Sequence, residues 1–291
     1  MNNKIISFSI LCAISYSAIA QAQAVEEVIV TATKTERTLQ EVPVAVSVVT
    51  ADTIEKANVV DLLDLKAVVP SLDARQYQST TNATFFIRGF GNGSNNPGVE
   101  PSVAVFVDGV YRSKIQGQLS DLPMLERIEV LRGPQSTLFG KNASAGVVNI
   151  VTKKPSFENF GKATFEVGDY NSKVAKVYYT GPVNDSLAYS FSANVNQRDG
   201  QSNNPTTGNK LNDRDRFGYR AEFLFSPADD FSARLTFDYD EFDEICCVVG
   251  STSYGAANQV IALLGGKVIP DDPFSQSAFF DFDPTSKGEN S

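Results

Sequence analysis

The feature that most constrains this chain is a regular alternation of apolar and polar residues in its second half. Residues 187–196, 217–225 and 231–240 each place apolar side chains on one face and polar side chains on the other. Alternation with a period of two over about ten residues fits a strand that crosses a membrane within a β-barrel. Two weaker strands are predicted at residues 163–168 and 173–180. A soluble β-sandwich alternates in the same way and remains an alternative.

The connections between these strands also favour a membrane barrel. Residues 181–185 and 226–230 are short turns with Pro and Asp, whereas residues 199–212 form a long polar connection. Short turns on one side and long loops on the other are typical of outer-membrane proteins. The polar tail after Phe280 is predicted to lie in a loop. Because five strands cannot close a barrel and would leave two unpaired edges, we expect the chain to be part of a longer one.

The composition excludes several classes of function. The chain of 291 residues has no His, which removes the Ser-His-Asp triad, the HExxH metalloproteases and the His-ligated zinc site. Its 34 acidic and 25 basic residues give a net charge of -9, which disfavours binding to nucleic-acid phosphates. No set of acid, base and nucleophile emerges from the remaining residues. We therefore expect neither an enzyme nor a bound cofactor or metal.

Residues 1–24 have the pattern of a secretory signal peptide. Lys4 is the only charge in the first 25 residues, and an apolar run follows at residues 5–20. Small residues then alternate, so that cleavage is expected after Ala22 or Ala24. The apolar run is too short and too rich in Ser for a transmembrane anchor. The sequence therefore predicts an exported protein.

Residues 41–155 have the pattern of a compact α+β domain. A Val-rich strand is predicted at residues 43–49, followed by a helix over residues 51–57 with Thr50 as its N-cap. Residues 89–98 are rich in Gly and Asn and are predicted to form a loop. The further predicted elements are a helical turn at residues 60–65 and strands at residues 85–88, 103–107, 127–131 and 147–152.

Ordered motifs in the first half resemble those of a known family. Residues 25–33 (VEEVIVTAT) resemble the TonB box of the TonB-dependent outer-membrane receptors. Residues 86–89 (FIRG), 105–111 (VFVDGVY) and 125–155 (LERIEVLRGPQSTLFGKNASAGVVNIVTKKP) resemble motifs of the plug domain of these receptors. The resemblance extends over about residues 25–245 and includes the first strands of the barrel.

The resemblance implies a fold and a location. We expect an α+β plug domain followed by the antiparallel β-strands of an incomplete transmembrane β-barrel, since receptors of this family have about 22 strands. The expected domains are the signal peptide at residues 1–24, the TonB box and linker at 25–40, the plug domain at 41–155 and a partial barrel of about five strands at 156–291. The expected location is the outer membrane of a Gram-negative bacterium, with the plug facing the periplasm.

The resemblance also implies a function. It predicts TonB-dependent active uptake of a scarce ligand, most often a ferric siderophore or another iron complex. Cobalamin, haem and glycans remain open as ligands, and a truncated receptor fragment without function remains an alternative. A receptor that mainly signals is disfavoured, because only the signal peptide precedes the box. The implied partners of the monomeric receptor are TonB, energised by ExbB and ExbD, outer-membrane lipid and an extracellular ligand.

Residues with expected roles follow from the same resemblance. The expected TonB-binding residues are Glu27, Val28, Ile29, Val30, Thr31 and Ala32. An extended β-branched segment with free backbone groups can add as a strand to a sheet edge of TonB. Arg88 and Arg132, each next to a Gly, match family arginines that face carboxylates of the barrel. The expected ligand contacts on the apical loops of the plug are Phe90, Asn92, Asn95, Asn96, Tyr111 and Arg112.

Cys246 and Cys247 follow the fifth predicted strand. Adjacent Cα atoms are about 3.8 Å apart, which is shorter than an unstrained disulfide allows. We therefore expect two free thiols here, or pairing with cysteines outside this chain.

Overall fold

The computed structural model describes most of the chain after its amino terminus. The described residues are 28–31, 34–35, 37–59, 62–76, 83–91, 99–112, 124–246, 255–268, 277 and 282–290. The predicted signal peptide and most of the predicted loop at residues 89–98 lie outside them. The secondary structure falls into an amino-terminal unit, residues 28–155, and a larger sheet that begins at residue 160.

The amino-terminal unit is built from short strands and single helical turns. Its elements are β1 (Ile29–Val30), β2 (Arg37–Thr38), a 3-10 helix (Leu39–Glu41), β3 (Ala45–Thr50), α1 (Ala51–Lys56), α2 (Leu65–Val68), β4 (Leu72–Gln76), β5 (Ala83–Ile87), β6 (Val103–Val107), β7 (Val110–Tyr111), β8 (Leu125–Arg132), α3 (Ser136–Phe139) and β9 (Gly146–Thr152). The strands predicted from the Val- and Ile-rich stretches are confirmed, with bounds shifted by one or two residues.

Five of these strands form one sheet in the order β3-β8-β9-β6-β7. β6 runs parallel to β9, and the other neighbours are antiparallel. The main core contains Leu62, Leu65, Ile128 and Val148, whose burial removes apolar surface from water. A second, separate core contains Val30, which is completely buried. The segment around β1 is therefore part of the packed unit.

The structure confirms one predicted helix start and corrects the other helix. The Thr50 side chain accepts a hydrogen bond from the backbone N–H of Thr53 and caps α1. The helical turn predicted at residues 60–65 lies later in the chain, because residues 62–64 form a turn and α2 begins at Leu65 and ends before Pro70. Leu62 and Leu65 are both buried. A turn at residues 62–64 followed by one helical turn places both side chains in the core, as a longer helix would also do.

The second half of the chain forms long antiparallel strands. Its elements are β10 (Phe160–Gly168), β11 (Ser172–Asn184), β12 (Leu187–Arg198), β13 (Ser202–Asn203), β14 (Lys210–Leu211), β15 (Arg214–Ala228), β16 (Phe231–Ile245), α4 (Ala256–Leu263) and β17 (Thr285–Asn290). Six of them form one sheet in the order β10-β11-β12-β15-β16-β17. β11, β12, β15 and β16 have 12 to 15 residues each, which is enough to cross a bilayer.

One expectation about the connections is wrong. Within the polar tail, β17 pairs with β16 from Thr285 opposite Ile245 onwards, so the sheet has six strands instead of five. Hydropathy misses β17 because it has no apolar side chain; Gly288 leaves room for the ring of Phe242. The long polar connection before β15 contains the β13–β14 hairpin.

α4, of eight residues, lies in the connection before β17. Within the described part of the chain, no helix combines the length and the apolar character needed to span a membrane. Cys246 follows β16 and is disulfide-bonded within this chain, so the expectation of a free thiol, or of a partner outside the chain, is wrong there. Its partner lies outside the described residues.

The two faces of the six-stranded sheet have opposite character. On the outward face, apolar side chains such as Phe223 and Leu235 are 41% and 55% exposed. On the inward face, polar side chains such as Thr180, Ser190 and Glu222 are buried. A soluble sandwich would bury the apolar face, whereas a membrane barrel turns it towards lipid. The structure therefore favours the barrel.

A charge on the outward face should block membrane insertion. Leu235 lies opposite Phe223 of the neighbouring strand, and Leu235→Arg places a guanidinium against lipid at a cost of about 2–4 kcal/mol near the midplane. We expect the amount of folded protein in outer membranes to fall several-fold, as measured by the heat-modifiable gel band. Ser232→Arg, at the start of β16, is the control. Unchanged insertion of Leu235→Arg would contradict a lipid-facing surface.

Candidate functional site at the interface of the amino-terminal unit and the sheet

β1 is paired within the amino-terminal unit. Ile29 lies opposite Thr38 and Val30 opposite Arg37, and the N–H of Leu39 donates to the carbonyl of Val28 at 2.8 Å. The structure therefore differs from the expectation that this segment has free backbone groups. Hydrophobic burial of Val30 explains the difference, because an extended free segment would leave this side chain in water.

A buried carboxylate holds the residue that follows β1. Glu129 is completely buried and accepts hydrogen bonds from the N–H of Thr31 at 2.8 Å and from its Oγ1 at 3.1 Å. Arg127 Nε and Asn149 Nδ2 also donate to Glu129, at 2.8 Å and 3.2 Å. Because Arg127 balances the charge of Glu129, departure of Thr31 would leave no unpaired buried charge. Glu27 and Ala32, also predicted to bind TonB, lie outside the described residues.

Asp108 joins the amino-terminal unit to the sheet. It lies in the tight turn between β6 and β7 in the left-handed conformation, with φ 50°, which Asp tolerates better than most residues. Its carboxylate accepts hydrogen bonds from the N–H and Oγ1 of Thr152, at 2.9 Å and 2.7 Å. It also accepts from Nη2 of Arg220 at 3.0 Å and from Nη2 of Arg234 at 2.8 Å. Both arginines project from the inward face of the sheet.

A second carboxylate supports these arginines from the sheet itself. Glu222 is buried and accepts from Arg234 Nη2 at 2.6 Å and from Thr236 Oγ1 at 3.1 Å. Nε of Arg220 lies 3.2 Å from Glu222 in an ion-pair contact. Ser190 Oγ donates to Glu222 at 3.3 Å. The arginines therefore keep a carboxylate on the sheet in addition to Asp108.

Two further ion pairs cross the same interface. Arg112 Nη2 lies 3.1 Å from the Asp238 carboxylate, and Lys162 Nζ lies 2.6 Å from that of Glu55. The amino-terminal unit is thus attached to the sheet through charged hydrogen bonds. Among the described residues, no group of three or more His, Cys, Asp or Glu side chains could hold a metal ion.

The two arginines that were expected to face barrel carboxylates lie in different environments. Arg88 is exposed with φ 53°, and Arg132 is partly buried with an Nε that has no hydrogen-bond partner. Neither forms an ion pair with any described residue. Their pairing with barrel carboxylates stays a prediction.

The structure describes three of the six expected ligand residues. Phe90 is 74% exposed, the Tyr111 hydroxyl accepts from Asn142 Nδ2 at 2.5 Å, and Arg112 pairs with Asp238. Asn92, Asn95 and Asn96 lie outside the described residues.

Sequence reasoning missed the residues of the interface. Asp108, Glu129, Arg220, Glu222 and Arg234 were not singled out. Charged residues on the polar face of an alternating strand were the signal that could have found the last three. A position that faces water in a soluble sheet becomes buried here, because the amino-terminal unit covers it.

Comparisons with known proteins agree with this architecture. The model of the TonB-dependent receptor plug domain matches residues 38–147. The pesticin receptor of Yersinia pestis is 32% identical over 197 residues, which cover 66% of this chain and 29% of that protein. The vitamin B12 transporter BtuB of Vibrio vulnificus is 28% identical over 224 residues, covering 75% and 35%. The chain spans about a third of the length of these curated relatives.

A solved structure shows the same fold. The ferric yersiniabactin uptake receptor FyuA from Yersinia pestis superposes with a TM-score of 0.66 at 27% identity, covering 69% of this chain and 32% of that one. The amino-terminal unit is attached to the inward face of a sheet whose apolar side chains point outward. This arrangement is that of an outer-membrane barrel filled by a plug. The chain belongs to the TonB-dependent outer-membrane receptors, and residues 38–147 match their plug domain.

Membership of this family confirms three expectations from the sequence. The fold is a plug followed by antiparallel barrel strands, of which this chain contains part. The relatives are receptors and transporters and not enzymes. The location is the outer membrane of a Gram-negative bacterium, with the plug on the periplasmic side.

Removing the charge of Asp108 should loosen the plug. Asp108→Asn keeps the size of the side chain but weakens its hydrogen bonds to Arg220 and Arg234, which costs about 1–3 kcal/mol of free energy. We expect the amides of β6 and β7 to exchange hydrogen at least about fivefold faster in the full protein, as measured by mass spectrometry. Asp73→Asn, which breaks the exposed pair with Arg75, is the control and should change exchange little. Unaltered exchange in Asp108→Asn would show that this carboxylate does not hold the plug.

Proposed function

We propose that this receptor takes up a scarce ligand across the outer membrane in a TonB-dependent manner, with ferric siderophores or other iron complexes as the ligand. The observation that carries the proposal is the contact of Asp108 with Arg220 and Arg234. Separation of an apolar interface exposes apolar surface to water, which costs about 25 cal/mol of free energy per Å². Charged groups instead regain hydrogen bonds to water when they separate. A plug held in this way can leave its place and return to it.

The charges of the interface support movement of the plug. The plug contributes one acid, Asp108, and one base, Arg112. The sheet contributes two bases and two acids, namely Arg220, Arg234, Glu222 and Asp238. Apart from the solvent-exposed pair of Glu55 and Lys162, each side is therefore neutral, and Glu222 continues to pair with both arginines after the plug has moved. An uncompensated buried charge, which would oppose separation, does not arise.

The segment around β1 has the properties of a strand that can pair with a sheet edge of a partner protein. Val28, Ile29, Val30 and Thr31 are β-branched, and Ile29 is half exposed. We expect TonB to bind this segment by adding it to a sheet edge. Capture competes with β2 and with the Glu129 carboxylate, so the segment has to leave its place first. Glu27 and Ala32 are proposed to extend the bound strand.

The proposed ligand contacts are the six plug residues predicted above. Phe90 is exposed, and Tyr111 and Arg112 follow Asp108 closely in the chain. Because Arg112 also pairs with the sheet, a ligand that draws this side chain away would weaken one attachment of the plug. Arg88 and Arg132 are proposed to meet carboxylates of the barrel.

The names of the relatives support an iron ligand and one other candidate. Similarity to the ferric yersiniabactin uptake receptor favours a ferric siderophore. Similarity over 75% of the chain to a vitamin B12 transporter makes cobalamin the second candidate. We further propose that ExbB and ExbD energise TonB, that the receptor acts as a monomer in outer-membrane lipid, and that the domains begin at residues 25, 41 and 156.

A proline in β1 tests the proposed function. Ile29→Pro removes a backbone donor that strand addition needs, so TonB-dependent uptake is expected to fall at least about tenfold while ligand binding to cells stays at the wild-type level. Uptake is measured with radiolabelled ferric siderophores and cobalamin in cells that express the full protein. Ile29→Thr keeps a β-branched strand former and is the matched control. Normal uptake by Ile29→Pro would refute TonB-dependent transport through this segment.

A further inference from the structure

A cavity lies between α1 and strands β10–β12, in the interface of the plug and the sheet. Its volume is about 180 Å³, whereas closely packed protein interiors have few voids larger than a water molecule. Its lining includes Ile54, Glu55 and Asn58 of the plug and Lys162, Thr164 and Ser192 of the sheet. The plug and the sheet are therefore not closely packed on this side.

The cavity has the size and the polar lining to hold water. Several water molecules fit into a space of this volume, and each needs polar partners. Glu55, Asn58, Lys162 and Ser192 provide such partners. Groups that already contact water are not hydrated anew when the plug moves away from the sheet. Separation on this side therefore breaks fewer direct contacts between plug and sheet.

The attachment of α1 to the sheet is weak. None of the side chains of α1 is buried. Its Glu55 carboxylate lies 2.6 Å from Lys162 Nζ, but the side chains of Glu55 and Lys162 are 69% and 35% exposed. Water and salt compete for an exposed ion pair, which therefore stabilises an interface little.

The contact of Asp108 lies at the same level of the sheet and is stronger. Successive strands place the following residues opposite one another: Lys162, Tyr178, Ser192 and Arg220. Lys162 and Arg220 are therefore separated by three strand spacings, or about 14 Å. The side chains of Asp108 and Arg220 are only 12% and 10% exposed, and hydrogen bonds between charged groups that are shielded from water are strong. The two sides of the interface thus differ in strength.

We propose that the plug separates from the sheet first along β10–β12, and that the cavity there widens into the passage through which the ligand crosses. Regions with few buried contacts open before regions with many, so Asp108 still holds the plug at β15 and β16 when α1 moves. The passage has α1 on one side and the polar inward face of β10–β12 on the other, a lining that suits a hydrophilic ligand. The inference rests on the proposed uptake function and adds the place where the plug opens.

Thiol labelling of the purified full protein tests the place of opening without TonB or ligand. Ser192→Cys places a thiol in the cavity, and Thr236→Cys places one beside Glu222 on the Asp108 side. A maleimide attached to a poly(ethylene glycol) chain is too large for the closed cavity and reaches either thiol only after plug and sheet have separated. We expect it to label Ser192→Cys at least about tenfold faster than Thr236→Cys. Labelling of the denatured variants gives the reference rates, and peptide mass spectrometry locates the adducts.

A substitution in α1 should make the opening more frequent. Glu55→Gln removes the charge that pairs with Lys162, so labelling of Ser192→Cys should become about two- to fivefold faster while that of Thr236→Cys stays the same. Asp52→Asn is the matched control, because it breaks an exposed pair with Lys56 within α1 and should change neither rate. Folding of each variant is checked by heat-modifiable migration.

An adduct in the cavity tests the passage. In cells that express the full protein, uptake of radiolabelled ferric siderophores and cobalamin should fall at least about tenfold once Ser192→Cys carries the large adduct, because the adduct fills the opening. Asp169→Cys carries the same adduct in the exposed turn between β10 and β11 and should import normally. Uptake that continues with the adduct at position 192 would refute the passage.

The labelling rates and the uptake of Ile29→Pro are independent readouts. Equal labelling of the two thiols, faster labelling of Thr236→Cys or no labelling of Ser192→Cys by the large reagent would overturn the proposed place of opening. Any of these results together with loss of uptake in Ile29→Pro would leave TonB-dependent uptake supported and refute only the inference. Faster labelling of Ser192→Cys together with normal uptake by Ile29→Pro would support the opening and refute only the TonB-dependent function.

Discussion

The arrangement of this receptor depends on the carboxylate of Asp108, which is shared between the plug and the sheet. The sheet turns its apolar side chains towards lipid, so its inward face has to be polar, and a plug that fills this space has to be polar where it touches the sheet. Asp108 meets that requirement with four hydrogen bonds, two to Thr152 of its own unit and two to the arginines of β15 and β16. The membrane thereby dictates the kind of contact that holds the plug.

The plug has two regions of contact that matter here, one around β1 and one around Asp108. β3, which follows the β1–β2 pair in the chain, is one edge strand, and the turn with Asp108 joins β6 to β7 at the other edge. β1 is held by Val30 in the second core and by Glu129 through Thr31. Glu129 keeps Arg127 when Thr31 leaves, and the arginines that release Asp108 keep Glu222.

Much of the fold could be predicted from the sequence, and little of the site could. Barrel strands follow from local alternation, so β11, β12, β15 and β16 were predicted, whereas β17 has no apolar residue and depends on Gly288 fitting the ring of Phe242. Asp108 stood inside a recognised motif, but its role depends on Arg220 and Arg234, more than a hundred residues away in the chain. Nothing local marks such a pair. The docking of β1 was also missed, because an extended β-branched segment has the same pattern whether it is free or packed.

A covalent tether across the interface tests the central claim that polar contacts hold the plug and separate during import. Glu55→Cys and Lys162→Cys place thiols at a contact that joins plug and sheet, and a thiol-reactive crosslinker can join them in cells that express the full protein. The account predicts that the tethered receptor binds its ligand normally and imports none, while each single variant treated in the same way imports as before. Import at the normal rate by the tethered receptor would contradict it.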